Sequence, residues 1–494
     1  MSDDTGATRR RDGRLALPLV VSSGLCVGCG ACATVSHDSL SMAVNEEGRY
    51  EPVPVDGRAL ADQDAGMLER GAKVCPFSND SRDEDSLADE QFPGADVARG
   101  EVTGRYRKIV AGHVASGDFR DRGTSGGMTS WMLFELLSRG HVDGVIHVAS
   151  THGELPGPLS RYTISRTIDE LLAGRKSRYH VQTLAEVMGE VRERPGRYAI
   201  VGVPCFVKAI RLLADADEVL RERLVFTVSL VCGHYKSTLY SEYLAWSAGI
   251  VPSEVDDIDY RHKEPGRAPN RYSVRISPRE GDDVVSGVER FPMADWGLGI
   301  FKLGACDYCD DIVGETADVS FGDAWLPPFM GDWRGTNMAI ARSELATRLL
   351  QDGEDRGELD VIPWTADDVA AAQAGAVRHR RPGLAVRLRN RETKGLWAPR
   401  KRVEPVAAEE MGSAFAQRML NREAISSAST GAYLEARRRG DLEYFRRTMR
   451  PLIQRYDGGR TTTVWRRAAS RILGWLPPRA EAFVRKMLRG ARFS

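Results

Sequence analysis

Three cysteines within seven residues, Cys26, Cys29 and Cys32 in the run CVGCGAC, have the spacing that bends a chain around three corners of a 4Fe-4S cube. Gly28 and Gly30 let backbone amides approach the sulfides. Such a cluster takes four thiolates, and in bacterial cluster motifs the closing cysteine is followed by proline. The next Cys-Pro pair along the chain is Cys75-Pro76 in KVCPFSND, so Cys75 is the expected fourth ligand. Structural zinc is the competing reading. Paired C-x2-C motifs normally satisfy a tetrahedral zinc site, however, and a third thiol in the same run fits a cubane better.

The other four cysteines make a second set of four arithmetically complete. Cys205 follows the strand-like run YAIVGV, and Cys232 ends VFTVSLVC. Both fall at carboxyl ends of predicted strands, where ligands gather in an open α/β sheet. Cys306 and Cys309 form C-x2-C in GACDYCDDIV. A buried free cysteine is a small hydrophobe, which is the plain alternative for Cys205 and Cys232. Cys306 and Cys309 lie among Asp307, Asp310 and Asp311, which reads as a polar turn. The stretch DRGTSGGMTSWMLFELL has the form of a helix start: Thr124 or Ser125 as cap, Gly126 and Gly127 leaving the first turn bare, and free amides for a phosphate. A capped helix whose glycines pack on a strand would look the same.

The elements that must position these residues follow from pattern. The chain has 494 residues with 69 basic and 69 acidic side chains, so no global field marks it for nucleic acid. No apolar stretch of 18 or more residues is present to span a bilayer. Residues 1–16 read as a disordered leader, with a strand expected at LALPLVV. A small iron-sulfur unit spans 17–80, an acidic linker 81–104, and an α/β domain 105–395 in which strand-like runs alternate with amphipathic helices. Residues 396–494 read as a mainly helical basic extension. From Arg460 onward it carries nine basic residues against Glu481 alone, interleaved with Trp465 and Trp475. That pattern suits a peripheral helix on an anionic membrane surface, one seated on the protein body or a partner subunit, or, as the third alternative, contact with nucleic acid. Free thiols imply a reducing cytoplasm, with any membrane contact at its inner face.

In this order over about residues 20–345, CVGCGAC, TSGGMTSWMLFELLSRGHVDGVI, AGRKSRY, VGVPCFVKAIRLL, LVCGHYKS, CDYC and VSFGDAW resemble the coenzyme F-420 hydrogenase/dehydrogenase beta-subunit family. The resemblance implies an oxidoreductase with FAD and 4Fe-4S clusters that moves electrons between the deazaflavin coenzyme F-420, or ferredoxin, and a substrate or partner. It carries the cluster ligands onto Cys26, Cys29, Cys32 and Cys75, the glycine-rich helix start onto Ser125, Gly126 and Gly127, and a basic flavin motif onto Lys176 to Tyr179. Gly174-Arg175-Lys176-Ser177-Arg178-Tyr179 stands where the family often has G-S-K-Y, and Phe206 where it usually has Gln. On this reading Lys176 or Arg178 stabilises the reduced flavin, His234 is a proton donor, and Asp323 binds a ribityl or ribose hydroxyl; a solvated loop charge, a structural histidine and a turn cap are the respective alternatives. A non-catalytic electron-transfer subunit and a zinc-binding interaction protein are the competing functions.

Overall fold

The computed structural model describes residues 16–151 and 158–456, so most of the leader and the whole basic segment from Arg460 lie outside the described residues. The strands of a central sheet are apolar runs too continuous to face water where they lie inside it, and more polar and exposed at its two edges. They are β1 (Lys108–Val114), β2 (Gly144–Ser150), β3 (Ser160–Ser165), β4 (Tyr198–Gly202), β5 (Leu224–Leu230), β6 (Val319–Asp323), β7 (Asn337–Ala341) and β8 (Leu359–Pro363). Their order across the sheet is β8-β1-β7-β6-β5-β4-β2-β3. The run β2-β4-β5-β6 is parallel, with Ile146 opposite Ile200, Val201 opposite Val228 and Val319 also opposite Val228. β7 is antiparallel to both β6 and β1, so β1 points the same way as the parallel run. The α/β expectation for the centre of the chain holds, as a mixed sheet.

Both faces are covered. Trp131 and Met132 of the helix Met128–Ser138 join Leu349 and Leu350 on one face. On the other, the helix Pro204–Ala216 presents Phe206, Val207 and Ile210, started by Pro204 where a missing N–H costs nothing. The N-terminal unit packs on that second face, and Leu184 N–H donates to the Cys29 carbonyl at 2.8 Å. Between β5 and β6 the chain inserts a three-stranded antiparallel sheet of Val255–His262, Ser273–Pro278 and Val284–Gly287. Against it pack the helices Leu239–Ser247, Ser413–Arg439 and Leu442–Tyr456, through Tyr243, Tyr433 and Phe445.

Two expectations need correction. The run LALPLVV is not a strand: Ala16–Ser22 is a helix whose Leu17 lies against Gly71 of the helix Ala65–Lys73, where a Cβ would meet the Leu17 Cδ2 at 2.7 Å. Nor is 81–104 a bare solvated linker. It holds the helix Glu84–Gln91, capped by Asp83, which accepts from Ser86 N–H at 2.8 Å, and a hairpin of Ala98–Gly100 with Gly104–Tyr106. Glu84 is buried and accepts from Lys208 Nζ at 3.2 Å, which pins the segment to the helix Pro204–Ala216. Among the described residues no helix is long and apolar enough to cross a membrane.

Candidate functional site

Cys26, Cys29, Cys32 and Cys75 line one small cavity with Leu17, Val27 and Phe77. The hairpin of Leu40–Val44 with Tyr50–Pro54 and then the helix Ala65–Lys73 bring Cys75 back to the first three thiols. Gly28 and Gly30 adopt positive φ of 72° and 82°, and a Cβ on Gly28 would meet Tyr50 Cβ at 2.7 Å, so only glycine makes this bend. Burial, and then the neighbouring Cys75, push the Cys26 thiol up to about 12 and raise Cys29 also. Thiols that oppose one another's ionisation become thiolates together only around a polycationic centre, and four of them fit a 4Fe-4S cluster. Among the described residues no three His, Cys, Asp or Glu side chains are grouped to hold a single metal ion.

The second four cysteines also come together. Burial and then Cys309, Cys232 and Cys306 raise the Cys205 thiol. Cys205 is in the first turn of its helix, Cys232 follows β5, and Cys306 sits on the short helix Gly304–Tyr308 with Cys309 next after it. Tyr235 N–H donates to Cys306 Sγ at 3.2 Å and Arg380 Nη1 to Cys309 Sγ at 2.9 Å. The polar turn expected around Cys306 and Cys309 is in fact interior, with Asp307, Asp310 and Asp311 each no more than 2% exposed. Every one of these acids has partners. Asp307 meets Lys302, Arg387 at 3.7 Å and His379 at 3.3 Å; Asp310 meets Lys401 and Arg402, each at 3.3 Å. Asp311 accepts from the amides of Val313, Gly314 and Glu315 at 2.7–3.0 Å.

The two sets share one apolar core. Cys29 is near enough to Cys205 to raise it, and after burial both raise the Tyr162 hydroxyl. Phe206 packs on Tyr162, with ring centroids 6.1 Å apart, and on Tyr235 at 5.7 Å, so it fills the space around the cysteines.

Cys232 also lines a cavity of about 860 Å³ at the carboxyl ends of β2, β4, β5 and β6, reached by Val148, Gly202, Leu230 and Asp323. Thr124 and Ser125 line it too. Neither caps the helix that follows: its N-cap is Gly127 at φ 86°, and Asn337 Oδ1 accepts the Met128 N–H at 3.1 Å instead. Gly126 makes this possible, because a Cβ there would lie 2.8 Å from the Asn337 backbone nitrogen. Thr124 and Ser177 hydroxyls bond at 3.1 Å, and Ser125 Oγ donates to the Thr336 carbonyl at 3.3 Å.

Lys176 stands on the wall at positive φ, 152°, with Nζ 3.0 Å from buried Asp259. A non-glycine residue in that conformation is held by its surroundings, and such positions cluster at ligand sites. Arg178 pairs with Asp257, and the Tyr179 ring lies 4.8 Å from that of Trp296. His234 stacks on Trp296 at 4.3 Å with both ring nitrogens buried and without a hydrogen-bond partner. Burial and then Lys236 hold it far below the usual imidazole value, so it is neutral, with one nitrogen able to donate and the other to accept. Asp323 is not a free acceptor: Arg261 grips it with two hydrogen bonds, at 2.9 and 3.2 Å.

Sequence reasoning missed Arg261, Arg380, Asn337 and Lys263. Lys263 Nζ donates to the Ser125 carbonyl at 2.8 Å, and burial followed by Lys176 and Arg261 lowers it to about 7. A base lowered in the folded state binds fewer protons there than in the unfolded chain, so stability rises with pH between about 7 and its ordinary 10.5. Lys263→Met should remove this contribution, which urea unfolding of both proteins across that range would reveal as a flatter profile; equal slopes would contradict the assignment.

Residues 109–188 match the family model for the N-terminal part of the coenzyme F-420 hydrogenase/dehydrogenase beta subunit, and residues 196–367 match the model for its C-terminal part, together just over half of the chain. The protein is 20% identical over 354 residues to one subunit of the F(420)H(2) dehydrogenase of Methanosarcina mazei, covering 69% of this chain and 85% of that one. It is 22% identical over 313 residues to the coenzyme F-420-dependent sulfite reductase of Methanocaldococcus jannaschii, covering 62% of this chain and 43% of that longer protein. A chain in the structure of the F-420-reducing NiFe hydrogenase complex from Methanosarcina barkeri superposes with a TM-score of 0.46 at 17% identity, over 62% of this chain and 99% of that one. The chain belongs to the coenzyme F-420 hydrogenase/dehydrogenase beta-subunit family.

Proposed function

We propose that this protein is an oxidoreductase that passes electrons between the deazaflavin coenzyme F-420, or ferredoxin, and a substrate or partner subunit. FAD occupies the large cavity of the 105–395 domain, one 4Fe-4S cluster sits in the 17–80 unit, and a second on Cys205, Cys232, Cys306 and Cys309. The observation that carries this reading is the position of Cys232, which belongs to the second cysteine set and also lines the cavity. Cys29 and Cys205 belong to one packed core, and Cys29 acts electrostatically on Cys205, which supports a path linking the two sets and the cavity. The names of the two curated relatives, both of F-420 enzymes, support the donor class, and the relative that is itself a subunit supports a partner subunit.

A flavin, when bound, exchanges electrons in pairs with small molecules and singly with clusters. The chain's own residues bind, orient and exclude water. Thr124, Ser125, Gly126 and Gly127 shape the cavity edge nearest the helix start; Lys176 brings positive charge to the wall beside Tyr179; Asp323, fixed by Arg261, offers its remaining acceptor capacity to a sugar hydroxyl. His234, neutral and unsolvated, can hold or pass a proton at whichever ring nitrogen a ligand approaches. All eight cysteines are free, as a reducing cytoplasm would keep them. Membrane contact through the basic tail concerns residues outside those described.

Anaerobic mixing with reduced coenzyme F-420, and separately with reduced ferredoxin, tests the reading. Loss of flavin absorbance with one donor in the absence of any partner is expected. A flavin that dithionite reduces but neither donor does would contradict it.

A further inference from the structure

The large cavity has a second wall built from sequence beyond residue 367, where the family match ends. The helix Ala374–Arg380 supplies Arg378, and the helix Ser413–Arg439 supplies Arg418 and Arg422. On the strand side each cation that lines the cavity faces an acid: Arg175 meets Asp118 at 2.6 Å, Lys176 meets Asp259 at 3.0 Å, Arg178 meets Asp257, and Arg261 meets Asp323 at 2.9 Å. On the C-terminal side, Arg378, Arg418 and Arg422 line the cavity and, unlike the strand-side cations, make no ion pair with an acid among the described residues. Arg418 lies over the Tyr456 ring at 4.7 Å and donates to the Tyr456 hydroxyl at 3.4 Å, which orients it without neutralising it. Arg422 Nε is buried without a hydrogen-bond partner, and after burial its charge is the next influence depressing Lys236.

Arg422 is half-buried with its Nε out of reach of water, while Arg378 and Arg418 are exposed at the same wall; a carboxylate or phosphate satisfies such guanidinium groups with charge-assisted, often bidentate, hydrogen bonds. Phe415 and Met419 line the same wall and Trp296 faces the cavity, so the anion has apolar surface beside it for an organic body. We propose that the C-terminal wall is an anion-binding subsite that holds the carboxylate or phosphate of a small organic substrate, with Arg418 and Arg422 as its binding residues. This rests on the redox reading above and narrows it, since it assigns the cavity mouth to an acidic small molecule rather than to a protein partner.

Calorimetric titration of the anaerobic, cofactor-loaded full chain with inorganic pyrophosphate and with glutarate tests it. At least one anion should bind, about tenfold or more weaker in Arg418→Ala, with partial recovery in Arg418→Lys. Arg418 is exposed, so its replacement leaves the fold intact, and flavin and iron contents should not change. Failure of both anions to bind, or equal binding by Arg418→Ala, would overturn the subsite. So would loss of flavin together with anion affinity, because the anion held would then be the flavin's own phosphate. Wild-type protein that lacks flavin yet binds the anion through Arg418 would sink the redox reading and leave the subsite standing.

Discussion

Cys75→Ala will purify anaerobically with about half the iron of the wild type and without the spectroscopic signal of one of two clusters. The thiol stands far from Cys32 along the chain, but loop closure adds only about 0.6 kcal/mol for each doubling of length. The intervening chain is also folded, not a free loop: the helix Ala65–Lys73 is capped by Asp64, which accepts from Met67 N–H at 2.9 Å, and Cys75 N–H returns to the Ala72 carbonyl at 3.2 Å. Burial raises the Cys75 thiol, opposed in part by the amides of Phe77 and Ser78 and the charges of Lys208 and Lys401, which would favour a thiolate at a bound cluster. None of Cys26, Cys29 and Cys32 can take over a fourth corner. Full iron and an unchanged cluster signal in the variant would remove Cys75 from the ligand set.

Asp307→Asn will lower the free energy of unfolding by about 3–5 kcal/mol, measured by denaturant titration. The side chains of Lys302 and Arg387 are wholly buried and both converge on Asp307, with His379 against the same carboxylate. Burial opposes ionisation of Asp307, but Lys302, His379 and Arg387 outweigh it and hold the carboxyl far below its ordinary value. Removing the negative charge on which both converge leaves two interior cations with only Glu423 acting on them, whereas Asn keeps the volume. A loss below about 1 kcal/mol would mean that water or the neighbouring dipoles satisfy those cations.

The alternation of strand and helix was legible because β4 is buried at every residue and β5 at all but Val225 and Leu230, so both are mainly apolar. The Cys26 to Cys32 run was legible because its ligand spacing is local. The short apolar run at Leu15 to Val21 was misread because a run that brief has no period to separate strand from helix. Asp307 and Asp310 looked solvated because their partners, Lys302 apart, lie far away in sequence, at Arg387, Lys401 and Arg402; Asp311 looked solvated because its partners are the backbone amides of the turn that follows it, which no side-chain pattern marks. The helix cap at Met128 comes from Asn337 for the same reason. Pairings made only by the folded chain, such as Arg261 with Asp323 or Arg380 with Cys309, leave no mark in local spacing.

Quantifying iron, acid-labile sulfide and flavin in anaerobically reconstituted protein tests the central claim most directly. Two four-cysteine sets and one flavin cavity predict about eight iron, eight sulfide and one FAD per chain. About four iron per chain would leave the second set as ordinary buried cysteines, and zinc in place of iron, with no flavin, would contradict the account as a whole.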